Sequence, residues 1–203
     1  ITNMVKKDST EKQFVSRSLS GDLDRGSKWE FLPGTYSESK SISSIAARYK
    51  IDVKSYYGLN ALEETYKSIG FKKSPRVIHI STHGFFFPDP KIEKLDNQST
   101  TIGSSQVFRY SNNPLNRSGL LFAGANNAWA GNPIPNIEDG ILTSYEAANV
   151  SLSNTQLVVL SACETGLGDI KGSEGVYGLQ RSFKLAGAEY LIMSLWKVPD
   201  LET

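Results

Sequence analysis

The 203-residue chain carries one cysteine, Cys163, and two histidines, His79 and His83. A thiol is a strong nucleophile only as the thiolate, and a neighbouring imidazole commonly lowers its pKa from about 8.5. Cys163 closes the run Leu157-Val158-Val159-Leu160-Ser161-Ala162-Cys163, and His83 closes Arg76-Val77-Ile78-His79-Ile80-Ser81-Thr82-His83-Gly84. Both runs read as short strands, and in open parallel α/β sheets functional groups gather at the carboxyl ends of strands. Trp196 to Asp200 follows a third such run. Backbone N–H groups in the glycine-bearing turns after these strands can hold a developing oxyanion, and Gly84 allows a sharp turn. The pattern fits nucleophilic acyl transfer through a Cys-His pair. The residues alone leave two other readings open: a lone Cys as a small buried apolar side chain, and a lone His as a structural one.

The remaining candidates have plainer explanations beside them. His79, four residues before His83, shares its face of an ideal strand. A zinc site of His79, His83 and Cys163 lacks a fourth ligand and a standard spacing, so His79 reads as a satisfied core histidine and no metal is expected. Glu146 offers a carboxylate to a substrate, but Thr143-Ser144-Tyr145-Glu146 has the spacing of a capping box. Asp139 precedes Gly140, which is turn chemistry. Phe85-Phe86-Phe87 is either the root of a packed loop or an apolar wall along which a peptide lies. Gly166-Leu167-Gly168 and Gly172-Ser173-Glu174-Gly175 match no nucleotide-binding spacing, and no cofactor is expected.

The elements that must position these groups are legible in outline. Residues 1–27 are polar, without sustained periodicity, and read as a loosely structured lead-in. Pro33-Gly34 reads as a turn that stops Trp29-Glu30-Phe31-Leu32. Helical spacing predicts helices over Ser37–Tyr49 and Ala61–Ile69, the second capped by Gly70, with a short strand over Val53–Tyr57 between them. Strands are predicted over Arg76–Thr82, Leu157–Ser161 and Tyr190–Leu195, and a short apolar run over Gly119–Ala123. A short helix follows Thr143 to about Val150, and a longer one runs from Ser173 to about Ala186, stopped by Gly187. Residues 85–118 and 126–139 read as long loops, and the Ser/Asn-rich stretch from Asp89 to Asn113 as the likeliest place for a proteolytic nick. Strands alternating with helices predict an α/β domain, a mostly parallel sheet with helices on both faces.

Composition narrows the class further. Twenty-two Lys and Arg against 21 Asp and Glu leave a formal charge of +1, which argues against nucleic acid or an anionic membrane as a partner. An apolar content of 39% supports a real core. A single Cys makes no internal disulfide and suits a reducing cytoplasm. No apolar run approaches the roughly 20 residues that cross a bilayer. The start at Ile1 reads as that of a fragment.

Val77-Ile78-His79-Ile80-Ser81-Thr82-His83-Gly84-Phe85-Phe86 resembles the histidine motif of CHAT domains, a caspase-like family often found after tetratricopeptide repeats. LVVLSACETGLG at Leu157–Gly168, with GSEGVYGLQRSFKLAGAEYLIMSLWKVPD after it, resembles that family's cysteine motif and the elements beyond. Leu32-Pro33-Gly34-Thr35, Asn113-Pro114-Leu115, Ser118-Gly119-Leu120-Leu121 and Asp139-Gly140-Ile141-Leu142-Thr143 resemble its intervening signatures, so the likeness runs from about Phe31 to Thr203. The resemblance implies a caspase–haemoglobinase fold, three layers α/β/α, for residues 28–203, with further elements expected beyond Thr203. It implies a Cys-His cysteine endopeptidase with Cys163 as nucleophile, His83 as its partner, and the N–H groups of Gly84 and Cys163 as oxyanion hole. It also implies a protein or peptide substrate and control by a regulatory protein or upstream repeats in a bacterial protein. Asp200, assisted by Trp196, matches a pocket for a basic side chain in the related separases, although Lys197 and Pro199 depart from that pattern. Asp139 and Glu146 are further pocket candidates. The alternative is a caspase-like scaffold or sensor without activity; small-molecule acyl transfer is a third reading.

Overall fold

The computed structural model describes residues 28–87, 104–162 and 175–194. Its centre is a parallel three-stranded sheet of β1 (Val77–Ser81), β5 (Leu157–Ser161) and β6 (Tyr190–Met193), in the order β1-β5-β6. Val77 stands opposite Leu157 and Ser81 opposite Ser161, so β1 and β5 end on the same rung. A second sheet is antiparallel and was not foreseen: β2 (Gly84–Phe86), β3 (Ser118–Leu121) and β4 (Ile141–Thr143), in that order. The helices are α1 (Pro33–Arg48), α2 (Glu63–Lys67), α3 (Ser104–Arg109), α4 (Ala125–Trp129), α5 (Ser144–Ala148) and α6 (Gly175–Leu185).

The two faces of the parallel sheet are unequal. Ile78, Ile80, Val158 and Leu160 turn inward, joining Tyr66, Leu120, Leu142, Leu179 and Phe183 in the main core. Removing each such side chain from water contributes about 1.5–3 kcal/mol, so this face dominates stability. The opposite face carries His79, Ser81 and Ser161 and receives α1 at β1. The antiparallel sheet is sandwiched. Leu120 and Leu142 point into the main core, whereas Phe85, Leu121 and Ile141 point into an aromatic cluster with Trp29, Phe87 and Trp129. This is the period-two alternation of a strand buried on both sides.

Several predicted boundaries moved. Helix α1 begins at Pro33, not Ser37, because proline's missing N–H costs nothing in the first helical turn and its φ is already helical. The strand foreseen over Val53–Tyr57 is absent; the segment pairs with no strand and leaves Val53 and Tyr56 exposed, and β-propensity without a partner ladder makes no strand. The second helix is short, passing into a 3-10 turn at Ser68–Phe71. Gly70 lies within that turn rather than capping it, and a Cβ there would stand 2.9 Å from Ser151 N. Residues 126–139 include most of α4. By contrast β5 spans the predicted residues, and Gly187, at φ +107°, ends α6 as foreseen. Residues 1–27, Ser173 and Leu195 lie outside the described residues, as does the stretch from Asp89 up to residue 103. Among the described residues no helix is long and apolar enough to cross a membrane.

Gly140, just before β4, has φ +81°, and a Cβ there would fall 2.6 Å from Ala125 N and 2.7 Å from Ala123 O. Gly58 has φ +53° but open space around it. Gly140→Ala should therefore cost about 2–3 kcal/mol from backbone strain plus overlap, and Gly58→Ala about 1 kcal/mol from strain alone. Urea unfolding of the two variants against the parent measures the difference.

Candidate active site

His83 occupies the step between the two sheets. Thr82 N–H donates to Ser161 O at 3.3 Å, which keeps the chain on β5 one residue past the strand. Thr82 Oγ1 then donates to Leu121 O, and Leu121 N–H donates to His83 O at 3.0 Å, so the backbone is already in the antiparallel ladder. Gly84 next faces Leu120. Because His83–Leu121 and Phe87–Arg117 are hydrogen-bonded at either end, alternation makes Gly84–Leu120 a non-bonded pair. The N–H of Gly84 therefore points away from β3, on the side where, among the described residues, β2 has no further strand in its sheet.

The His83 side chain is buried, and its Nε2–H donates to the backbone carbonyl of Glu30 at 2.7 Å. A carbonyl only accepts, so the proton of the neutral ring sits on Nε2 and Nδ1 is the basic nitrogen. The Trp29 ring packs against the imidazole, 5.0 Å between centroids, and meets Trp129 edge-on at 5.2 Å. Asn126 holds Trp29 by its backbone: Trp29 N–H donates to Oδ1 at 2.8 Å and Asn126 Nδ2–H donates to Trp29 O at 3.0 Å. No orienting group for His83 was read from the sequence. Its acceptor is a main-chain oxygen, which any residue type supplies and no pattern marks.

Cys163, Trp196 and Asp200 lie outside the described residues. Ala162, one residue past β5, accepts at its carbonyl from Ser194 Oγ at 2.6 Å, tying the end of β5 to that of β6.

One rung below His83 sits a carboxylate the sequence did not single out. Glu38 of α1 accepts from His79 Nε2–H at 3.1 Å and from Ser81 Oγ, and Ser161 also hydrogen-bonds to it. Burial pushes its pKa up, but these three partners outweigh that and hold it at about 2. Glu38 thus bridges the paired residues Ser81 and Ser161 as an anion. The signal for it was His79 and two serines interrupting otherwise apolar strands. His79, foreseen as a core histidine, is half-buried with this carboxylate as its partner, and neither described histidine is arranged toward a shared metal.

Glu146 and Asp139 belong to a separate cluster. Glu146 Oε2 accepts from Thr143 N–H at 3.0 Å and Oγ1–H at 2.7 Å, while Thr143 Oγ1 accepts from Glu146 N–H at 3.2 Å, completing the capping box. Its Oε1 meets Lys67 Nζ at 2.9 Å. Burial raises its pKa, but Thr143 and Lys67 more than reverse this. Asp139 accepts from Ile141 N–H at 2.8 Å, the turn read from Asp-Gly, and burial pushes its pKa up. Lys67 also meets Glu63 at 2.8 Å and Glu138 at 2.7 Å. Burial lifts Glu63 to about 7, against the pull of Lys67. Oxygens of Glu63, Glu138 and Glu146 lie within 4.8 Å of one another, as around a cation, but the Lys67 ammonium already stands among them.

A parallel sheet flanked by helices, with a buried histidine where the first strand leaves it, defines a caspase-like α/β domain. The family model for the CHAT domain matches residues 4–203, and the chain belongs to that family. The match reaches back through most of the segment read as a lead-in. Among curated proteins, none matches the chain.

Glu38→Gln tests the bridge below the site. A carboxyl held at about 2 in the fold, against 4.5 unfolded, stabilises fully above pH 4.5 and loses that contribution as pH falls toward 2. At pH 7 the variant should be less stable by about 2 kcal/mol, the typical loss of a charged, half-buried hydrogen-bond set. The gap should close between pH 4.5 and 2, as read by denaturant titration at each pH.

Proposed function

We propose that this domain is a cysteine endopeptidase in which Cys163 and His83 form the catalytic pair. The observation that carries the reading is His83 itself: buried just past the carboxyl end of β1, with Nε2–H donating to Glu30 O, which makes Nδ1 the basic nitrogen of the neutral ring. Ser81 and Ser161 are register partners, and each candidate follows its serine by two residues in sequence. Covalent geometry keeps Cys163 within one step of about 3.8 Å between Cα atoms from Ala162.

In this reading His83 Nδ1 takes the Cys163 thiol proton, and the thiolate attacks a peptide carbonyl. The oxyanion is held by the outward N–H of Gly84 and that of Cys163. The tetrahedral intermediate collapses, the C–N bond breaks, and His83 returns the proton to the leaving amine. Water, deprotonated by His83, then releases the acyl group and restores the thiol. A protein or peptide is the substrate. The resemblance to separases assigns Asp200, with Trp196, to a pocket for a basic side chain. Glu146 and Asp139 are engaged by the capping box, Lys67 and the β4 turn. An upstream region or a partner protein controls activity, in the cytoplasm.

The test is turnover of a peptide library by the parent, Cys163→Ala and His83→Ala, with labelling by an acyloxymethyl ketone. Cys163→Ala should abolish turnover and labelling, and His83→Ala should lower the rate by about 10²–10⁴. Equal turnover by parent and Cys163→Ala, or a parent that neither cleaves nor labels, overturns the reading; the second result points to a scaffold or sensor.

A further inference from the structure

We propose that Asn126 is a positioning residue for His83, acting through the backbone of Trp29 and the carbonyl of Glu30; this rests on the peptidase reading above. Residues 28–32 belong to no helix or strand, yet they supply the oxygen that fixes the imidazole. What holds them in place is an amide side chain, reached across 97 residues of sequence, that meets both polar groups of Trp29 as a neighbouring strand would. The carbonyl that accepts from His83 is one residue further on.

The same short helix holds Trp29 at its other end. Three residues after Asn126, Trp129 stands edge-on to the Trp29 indole, and that indole packs on the His83 ring. Trp129 is itself fixed by Phe85 at 5.4 Å and Phe87 at 6.2 Å, both leading away from His83 along the chain. Helix α4 therefore determines where Glu30 O lies relative to Nε2. Without the Asn126 amide the carbonyl is no longer held, the Nε2–H tautomer loses its advantage, and Nδ1 carries the proton in part of the population. A ring protonated at Nδ1 cannot accept the thiol proton.

Asn126 is an exposed residue, so truncation leaves the core intact. The experiment uses the 203-residue chain labelled with ¹⁵N, in which two-bond ¹H–¹⁵N correlations report the tautomer of each histidine. There are only two, so His79→Gln assigns them. Asn127→Ala, one residue along and also exposed, is the control. Asn126→Ala should shift the His83 nitrogens toward mixed tautomers and slow peptide turnover about tenfold in kcat, with KM within twofold; Asn127→Ala should match the parent. Unchanged His83 nitrogens in Asn126→Ala overturn the proposal, whatever the activity. Loss of the Nε2–H tautomer in Asn126→Ala, in a protein whose parent cleaves nothing, upholds the clamp and removes the peptidase reading instead.

Discussion

Between Ser81 and Gly84 the chain leaves a parallel ladder and enters an antiparallel one, and His83 stands on that step. Two constraints meet there. Thr82 is still bonded to Ser161 O, while His83 O is already bonded to Leu121. A residue caught between two sheets has its backbone fixed from both sides, so its side chain has one direction to take. The change of sheet also turns the N–H of Gly84 outward, because the antiparallel alternation begins at His83. The placing of the His83 side chain and the outward turn of the Gly84 N–H thus follow from a single topological event.

The polar groups around this step are arranged by elements distant in sequence. The Glu30 carbonyl reaches Nε2 from one side and the Glu38 carboxylate joins β1 to β5 from below. Neither belongs to the strands it serves. Glu30 comes from the segment running into α1 and Glu38 from α1 itself, which lies against the polar face of the parallel sheet while α5 and α6 serve the apolar one. The division explains why serines interrupt β1 and β5 only at their last rung: there the strands face a carboxylate rather than a core.

The acidic residues divide between two tasks. Glu38 stays ionised because three donors surround it, whereas Glu63 has burial working against one shared lysine. Lys67 gathers Glu63, Glu138 and Glu146, and Glu63 accepts from Gly140 N–H at 2.8 Å, so the cluster secures the turn that begins β4. Through β3 that turn reaches Leu121, the residue bonded to His83 O. These carboxylates hold the scaffold in place.

Much of this was legible in the linear order of residues, where the chemistry is local. The short, mainly apolar and β-branched runs specify β1, β5 and β6, because such residues fit a pleated surface with one face packed on a core. The Thr143–Glu146 capping box and the Gly187 stop are local motifs whose bonds close within a few residues. His83 stands out by residue type just past the end of β1. Two readings failed: Val53–Tyr57 found no strand to pair with, and Pro33 began a helix instead of ending a segment. The antiparallel sheet, the Glu38 bridge and the Asn126–Trp29–Glu30 support were decided by tertiary structure alone. Each joins groups dozens of residues apart, often through main-chain oxygens and N–H groups that every residue carries, and only folding gives such groups an address.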